Sequence, residues 1–225
     1  MSDLTLLIPA NTEAESLPIF LDELESFPYQ ILIVLQKEDT ETIKAISSFK
    51  NIKILTQKNK GYGSALIEGL SIIETKFFCV INADGSMDPK YLKEMLAICK
   101  EKDLVFASRY LKGGGSDDDD IITFIGNKFF SFLGNILFNL NLSDILFTFI
   151  IGNTASLKKL NLEYHDFRIC PEIPIKAKIN NFAYTSIPSK ERKRIGGEKK
   201  VNAFKDGSLI LIAMIKFFCI KIFNR

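Results

Sequence analysis

The sequence has little of several residue types on which catalysis and metal binding often depend. It contains one histidine, His165, and no tryptophan among 225 residues. A single histidine excludes a His-rich metal site and makes a Ser/His/Asp triad a weak hypothesis. The four cysteines form no C-x-x-C pair, so they indicate neither a zinc site nor a disulfide framework. We interpret them as small core residues of a protein in a reducing compartment.

Neither sign of charge is in large excess. There are 29 Lys and Arg residues against 27 Asp and Glu, a net charge of +2, which argues against a nucleic-acid-binding protein. Hydrophobic residues make up 47% of the chain, which excludes a disordered protein. The first residues show neither a basic start nor an apolar stretch, so we predict no signal peptide and a cytoplasmic location.

The first hundred residues alternate short apolar runs with amphipathic stretches. The apolar runs predict strands over residues 4–8, 31–35, 52–56, 77–81 and 104–108. The amphipathic stretches between them predict helices that begin near residues 16, 40, 64 and 89. This alternation is typical of an α/β domain with a mainly parallel sheet flanked by helices. We therefore expect the functional site in the loops beyond the carboxyl ends of the strands.

The chain becomes more apolar after Gly115. Residues 121–142 are apolar almost all round, which is typical of a helix buried in protein or lying against lipid. The stretch 209–223 is shorter than the roughly 20 apolar residues of a membrane span, so it predicts an interfacial helix or one packed on the domain. We accordingly divide the chain into a domain over 1–207 and an apolar helix over 208–225.

Two charged segments flank these apolar stretches. The acidic run 117–120 predicts a solvated loop, because adjacent flexible carboxylates lack the geometry of a metal site. The segment 189–205 contains seven Lys and Arg residues against two Glu, and this excess would attract the chain to an anionic membrane surface.

Oxygen-bearing side chains alternate directly after the fourth predicted strand. They are Asn82, Asp84, Ser86 and Asp88. Such side chains at a strand end suit a hard divalent cation that shares the phosphates of a substrate. Asp-Gly and Asp-Pro are also common in turns, so the segment alone indicates either a metal loop or a turn.

Glycines mark a second candidate loop, between the third strand and the following helix. Gly61 and Gly63 would let a backbone approach a ligand closely, and a helix N-terminus favours an anion. The segment is no dinucleotide-binding motif, because it follows the third strand rather than the first. A plain glycine turn explains it equally well.

Cations near the ends of later strands are candidates for phosphate binding. Arg109 follows the fifth strand and could bind a phosphate or form a salt bridge at the rim. Arg192, Arg194 and Lys200 accompany two glycines and suit a phosphate clamp, although such a basic run is more often a solvated loop.

The order of these segments resembles family 2 glycosyltransferases of the GT-A fold, and most closely the polyprenyl-phosphate branch that includes dolichol-phosphate mannosyltransferase. The resemblance covers roughly residues 4–207. Its motifs are Pro9-Ala-Asn-Thr-Glu13, Lys60-Gly-Tyr-Gly-Ser-Ala65, Ala83-Asp-Gly-Ser-Met-Asp-Pro89, Ser108-Arg-Tyr110 and Arg194-x-Gly-Gly-Glu-x-Lys200.

The resemblance implies an inverting transferase that uses Mg²⁺ or Mn²⁺ and a nucleotide-sugar donor. The acceptor would be a polyprenyl phosphate, or else a glycan, met at the cytoplasmic face of a membrane in cell-envelope glycan synthesis. The implied donor-binding residues are Pro9, Ala10, Asn11, Glu13, Gln36, Lys60, Gly61, Gly63, Asn82 and Ala83. The implied metal ligands are Asn82, Asp84 and Ser86, and the implied acceptor-phosphate residues are Arg192, Arg194 and Lys200.

The implied catalytic residues are Asp84, Arg109 and Asp144. A lipid phosphate is ionised near neutral pH and requires no base, which agrees with a sequence that offers no histidine base. For a sugar hydroxyl acceptor, Asp144 would be the candidate base.

Two other interpretations stay open. Relatives carry two aspartates where this chain has Leu35 and Gln36, an acid at Asn82 and an arginine near Ile150. These differences favour a glycosyltransferase-like binding or scaffold protein with impaired catalysis. A nucleotidyltransferase is the other alternative, but its glycine-rich loop would follow the first strand, where this chain has none.

Overall fold

The computed structural model describes residues 3–197 and 200–223, and its strands and helices alternate as expected. The strands are β1 (Leu4–Pro9), β2 (Gln30–Leu35), β3 (Ile52–Thr56), β4 (Phe77–Val80), β5 (Leu104–Ser108), β6 (Gly115–Ser116), β7 (Ile150–Asn153), β8 (Tyr184–Pro188) and β9 (Lys190–Glu191). The helices are α1 (Leu17–Leu24), α2 (Thr40–Ala45), α3 (Tyr62–Ile72), α4 (Leu92–Cys99), α5 (Ile121–Phe138), α6 (Thr154–Lys158), α7 (Ile169–Ile179) and α8 (Ala203–Phe223).

Seven strands form the central sheet, in the order β3-β2-β1-β4-β7-β5-β8. All neighbours are parallel except β7, which runs antiparallel to β4 and β5. A parallel sheet needs cover on both faces, and β1 shows how the sequence provides it. Leu6 and Ile8 belong to the core under α1 and α4, whereas Leu7 belongs to the core under α3, α7 and α8. The expected α/β fold is confirmed.

Strand β7 was not predicted, because a four-residue strand within a long apolar region has no pattern of its own. Gly152 explains how it fits between β4 and β5. A Cβ at this position would lie 2.5 Å from a side-chain atom of Leu104 and 2.6 Å from the ring of Phe78. The sheet is therefore tightly packed at its centre.

Helices α5 and α8 pack against each other on one side of the molecule. Helix α8 begins at Ala203, and its buried residues Ile210, Met214 and Phe217 join the core that also holds α7. The division of the chain at residue 207 stays a prediction. Both helices also expose large apolar side chains on their outer faces: Ile121, Ile122, Phe124, Ile125, Phe129, Phe132, Ile136, Phe204, Ile212, Ile215, Ile220, Ile222 and Phe223.

Among the described residues, α5 is the one helix that is long and apolar enough to cross a membrane. A single helix of this kind is weak evidence, since the core helix of a soluble protein has the same composition. Its ends are defined by Asp120, whose side chain accepts a hydrogen bond from the Thr123 N–H, and by Asn139 in a left-handed conformation.

Candidate functional site

A cavity of about 480 Å³ lies beyond the carboxyl ends of β1, β2, β4 and β5. Of the residues predicted from the sequence, it brings together Pro9, Ala10, Asn11, Glu13, Gln36, Gly61, Asn82, Ala83, Asp84, Ser86, Arg109, Arg194 and Lys200. Four other predicted residues, all within the described part of the chain, are not in its lining: Lys60, Gly63, Asp144 and Arg192. Glu198 and Lys199, from the last motif, lie outside the described residues.

The loop after β4 presents its oxygen atoms to the cavity. One Asp84 carboxylate oxygen accepts the Ser86 N–H at 3.0 Å, and the other lies 3.6 Å from Nη1 of Arg194. The Asn82 side-chain oxygen accepts a hydrogen bond from the Tyr62 hydroxyl at 3.2 Å. One carboxylate with amide and hydroxyl oxygens suits Mg²⁺ or Mn²⁺, ions that commonly complete their shell with substrate phosphates and water.

The charge and the donor atoms of this loop suit a metal site that leaves positions for outside ligands, rather than one filled entirely by protein side chains. No group of three or more His, Cys, Asp or Glu side chains that could hold a metal exists within residues 3–197 and 200–223. A cation bound here would have Asp84 as its carboxylate ligand, with neutral oxygens, water and the diphosphate of a donor suited to the other positions.

Residues 189–197, which we call the strap, cross the loop after β4. The N–H groups of Arg192 and Ile195 donate to the carbonyl oxygens of Ser86 and Asp84, both at 2.8 Å. The Arg192 guanidinium donates to the Gly85 carbonyl and pairs with Glu23 of α1 at 2.8 Å. Arg192 thus connects the loop to α1, and its role as an acceptor-phosphate ligand stays a prediction.

Two residues of the acidic run, Asp118 and Asp119, line the cavity, so the prediction of a solvated loop is wrong for them. The side chains of Asp118 and Asp119 are only 11% and 8% exposed. Asp118 accepts two hydrogen bonds from Arg194, at 2.6 Å and 3.2 Å, and these bonds raise the pKa of that guanidinium. Asp117 pairs with Lys190 at the surface.

Arg109 is buried among three carboxylates rather than placed at a rim. Its Nε donates to Asp144 at 2.7 Å, and its Nη1 lies 3.3 Å from Asp119 and 3.2 Å from Glu191. Burial alone would lower the pKa of this guanidinium, but the attraction of Asp144 and Glu191 raises it. Arg109 therefore positions carboxylates, and a catalytic role for it stays a prediction.

Asp144, the candidate base for a sugar hydroxyl acceptor, is paired with Arg109, and its role as a base stays a prediction. Its side chain is fully buried, and both of its carboxylate oxygens accept hydrogen bonds from Arg109. Glu191 is a better placed carboxylate that sequence reasoning missed. It lines the cavity, accepts a hydrogen bond from the Ser116 hydroxyl, and has a pKa raised by burial.

The two loop glycines pack against protein rather than against open space. A Cβ at Gly61, whose φ is +115°, would lie 2.2 Å from the His165 carbonyl oxygen. A Cβ at Gly63 would lie 2.1 Å from the carbonyl oxygen of Tyr164. The Ser64 hydroxyl also bonds Nδ1 of His165 at 2.9 Å. The loop therefore needs glycine for its contact with residues 164–166, and the approach of a ligand at Gly63 stays a prediction.

The positions that depart from the family pattern have different surroundings. Leu35 is buried in the core, and Ile150 is buried in β7, so neither can contact a ligand. Gln36 lines the cavity beside Gln57, whose side-chain amide donates to the carbonyl oxygen of Gly61 at 3.0 Å. Gln57 was missed, although its place directly after β3 was a sufficient signal.

Comparisons with known proteins agree on family and fold. The model of glycosyl transferase family 2 matches residues 5–161. An uncharacterized glycosyltransferase of Mycobacterium tuberculosis is 32% identical over 106 residues, 47% of this chain and 48% of that protein. The dolichol-phosphate mannosyltransferase of Pyrococcus furiosus is 25% identical over 208 residues, 88% of this chain and 58% of that protein. The chain thus spans about half the length of the relatives it matches.

Solved structures show the same fold at low sequence identity. Glucosyl-3-phosphoglycerate synthase from Mycobacterium tuberculosis, crystallised with UDP, superposes with a TM-score of 0.73 at 12% identity, over 96% of this chain and 79% of that one. The same enzyme has been crystallised with Mn²⁺, UDP-glucose and phosphoglyceric acid. Mannosyl-3-phosphoglycerate synthase from Rubrobacter xylanophilus gives a TM-score of 0.71 at 16% identity, over 98% and 74%. The fold is GT-A, and the chain belongs to glycosyl transferase family 2.

Proposed function

We propose that this protein is a metal-dependent, inverting glycosyltransferase that moves a sugar from a nucleotide-sugar donor to a lipid phosphate at a membrane surface. The observation that carries the proposal is the composition of the cavity. Its lining combines Asp84 and the polar loops at the carboxyl ends of the strands with apolar side chains of α5 and α8, among them Phe130 and Ile210. A polar donor and a lipid acceptor could therefore meet in one space.

The charge of the cavity supports the need for a divalent cation. Its described lining carries five carboxylates against three cations, namely Glu13, Asp84, Asp118, Asp119 and Glu191 against Arg109, Arg194 and Lys200. A nucleoside diphosphate is itself an anion and would be repelled by this surplus. A cation held by Asp84, with Asn82 and Ser86 nearby, would remove that repulsion and neutralise charge on the diphosphate leaving group.

The remaining chemistry falls to residues of the chain itself. Arg194 and Lys200 line the cavity and are suited to hold an acceptor phosphate close to the donor. A lipid phosphate is already ionised near neutral pH, so its oxygen can attack the anomeric carbon without a base. A reaction without a base is compatible with the pairing of Asp144, the candidate base, with Arg109. Attack from the face opposite the leaving diphosphate would invert the anomeric centre.

The apolar side chains of the cavity lining support a lipid acceptor. They include Ile122, Phe130, Leu146, Phe167 and Ile210. The apolar side chains on the outer faces of α5 and α8 suit burial in the boundary between headgroups and acyl chains. A protein that rests on this surface could receive a prenyl chain directly from the bilayer. We place it on the cytoplasmic face, as a step in cell-envelope glycan synthesis, in agreement with its four free cysteines.

A pair of Asp→Asn variants tests the proposal. Asp84→Asn should abolish Mn²⁺-dependent transfer to a polyprenyl phosphate and weaken Mn²⁺ binding measured by electron paramagnetic resonance with UDP present. Asp88→Asn is the matched control in the same loop, because Asp88 caps the turn at Lys90 and is not in the cavity lining. Full transfer by Asp84→Asn would overturn the metal assignment.

A binding or scaffold role is the second candidate, favoured by the neutral Asn82 and by the engagement of Arg109 with three carboxylates. It predicts that UDP binds to the wild-type chain while a panel of nucleotide sugars is neither transferred nor hydrolysed with Mg²⁺ or Mn²⁺. Metal-dependent hydrolysis of any one donor would exclude this role.

A further inference from the structure

The ion pair between Arg194 and Asp118 joins the strap to the acidic run across the cavity. Both side chains line the cavity, and they are 21% and 11% exposed. The guanidinium meets the carboxylate through two bonds, Nη2 to Oδ2 at 2.6 Å and Nε to Oδ1 at 3.2 Å. Two parallel bonds of this kind are also how arginine binds a phosphate. The carboxylate of Asp118 therefore occupies the Nε–Nη2 edge of Arg194, one of the two edges through which a guanidinium binds an anion, while Asp84 lies 3.6 Å from Nη1 at the other edge.

We propose that Asp118 is an internal competitor for the acceptor phosphate, which must displace the Asp118 carboxylate from Arg194 in order to bind. This inference rests on the proposed function, because it assigns the residue that sets acceptor affinity in that reaction. A doubly charged phosphate can displace a singly charged carboxylate, whereas a neutral hydroxyl cannot. Asp118 would thus select phosphate acceptors over hydroxyl acceptors.

Arg194 suits this exchange better than Arg109. Arg109 is only 6% exposed, and its guanidinium contacts Asp119, Asp144 and Glu191 together. Displacing those carboxylates would leave several charges buried without a partner, which is costly. Arg194 is more than three times as exposed, and the distance from its Nη1 to the Asp84 carboxylate is long at 3.6 Å.

The acidic run is built so that the Asp118 side chain can leave while its backbone stays in place. The N–H groups of Asp118 and Asp119 both donate to the Ser116 hydroxyl, at 3.2 Å and 2.9 Å. The N–H of Asp117 donates to the Glu191 carbonyl oxygen at 3.0 Å. These backbone bonds do not involve the Asp118 carboxylate, so its exchange for a phosphate need not break them.

The test compares Asp118→Asn with Asp117→Asn in the full chain, without donor or metal. Asp117 is the matched control, because it lies in the same run but pairs with Lys190 at the surface, where its side chain is 52% exposed. Calorimetry with inorganic phosphate and with geranyl phosphate measures binding of the headgroup alone and of the headgroup with a prenyl chain.

Asp118→Asn should bind both probes about five- to tenfold more tightly than the wild type, and Asp117→Asn should change binding less than about twofold. Unchanged or weaker binding by Asp118→Asn would overturn the proposal, as would an equal gain in both variants. Asp118→Ser replaces Asp118→Asn if the latter fails to fold. A gain in phosphate binding without any transfer to a lipid phosphate would support the competitor and overturn the proposed function.

Discussion

Replacement of Gly63 by alanine should destabilise the fold, because a methyl group at this position has no room. An ideal Cβ would lie 2.1 Å from the Tyr164 carbonyl oxygen, 2.8 Å from the His165 carbonyl carbon and 2.9 Å from the Asp166 carbonyl oxygen. All three are backbone atoms, so no side chain can rotate away to accommodate it. Either α3 or residues 164–166 must shift, and the hydrogen bond from the Ser64 N–H to the His165 carbonyl, now 3.1 Å, must lengthen.

The magnitude follows from three opposing effects. Overpacking costs about 1–3 kcal/mol, and a weakened backbone hydrogen bond adds about 0.5–1 kcal/mol. Alanine in a helix recovers roughly 0.5–1 kcal/mol relative to glycine. The free energy of unfolding should therefore fall by about 2 kcal/mol, which lowers Tm by roughly 4–8 °C in a chain of this size.

Gly126 of α5 is the matched control, because a Cβ there meets nothing within 4 Å. Gly126→Ala should raise the free energy of unfolding by about 0.5–1 kcal/mol through helix propensity alone. Thermal unfolding followed by circular dichroism would give both shifts. The reasoning fails if Gly63→Ala melts within about 1 °C of the wild type, or if the two variants shift Tm in the same direction.

Two further predictions concern pH and membranes. Burial raises the pKa of Glu191 above its ordinary value of 4.5, so its ionisation destabilises the folded state. Its favourable contribution is present below the ordinary pKa and is lost as the pH rises through the raised pKa. The Tm of Glu191→Gln relative to the wild type should therefore increase as the pH rises from about 4, and a constant difference would contradict this. On α8, Ile212 and Ile215 are 60% and 50% exposed. Replacing both with serine should weaken sedimentation of the protein with anionic vesicles. Ile19→Ser, at a similarly exposed site on α1, should not weaken it. Equal binding by both variants would remove the membrane surface from the proposal.

Local patterns in the sequence were sufficient to predict most of the sheet. A strand such as β1 follows from its own apolar residues, because burial on both faces of a parallel sheet requires a continuous apolar run. The carboxyl ends of parallel strands meet at one edge, so the position of Asp84 and Gln36 in one cavity could also be predicted before the structure. The short antiparallel β7 could not, since its place depends on strands β4 and β5 on either side.

Only the tertiary structure decided which distant residue each charged side chain, and a glycine such as Gly63, contacts. Arg194 meets Asp118 across 76 positions of sequence, and Arg109 meets Glu191 across 82. A sequence identifies a cation or a carboxylate but not the distant group that neutralises it, and that partner decides whether Arg192 clamps a loop or binds a phosphate. The same holds for Gly63, whose neighbour at Tyr164 lies about a hundred residues away. The sequence by itself determined most of the strands and helices and the candidate loops, because those depend on neighbouring residues. The place of β7 and the roles within the site depend on contacts that only folding creates.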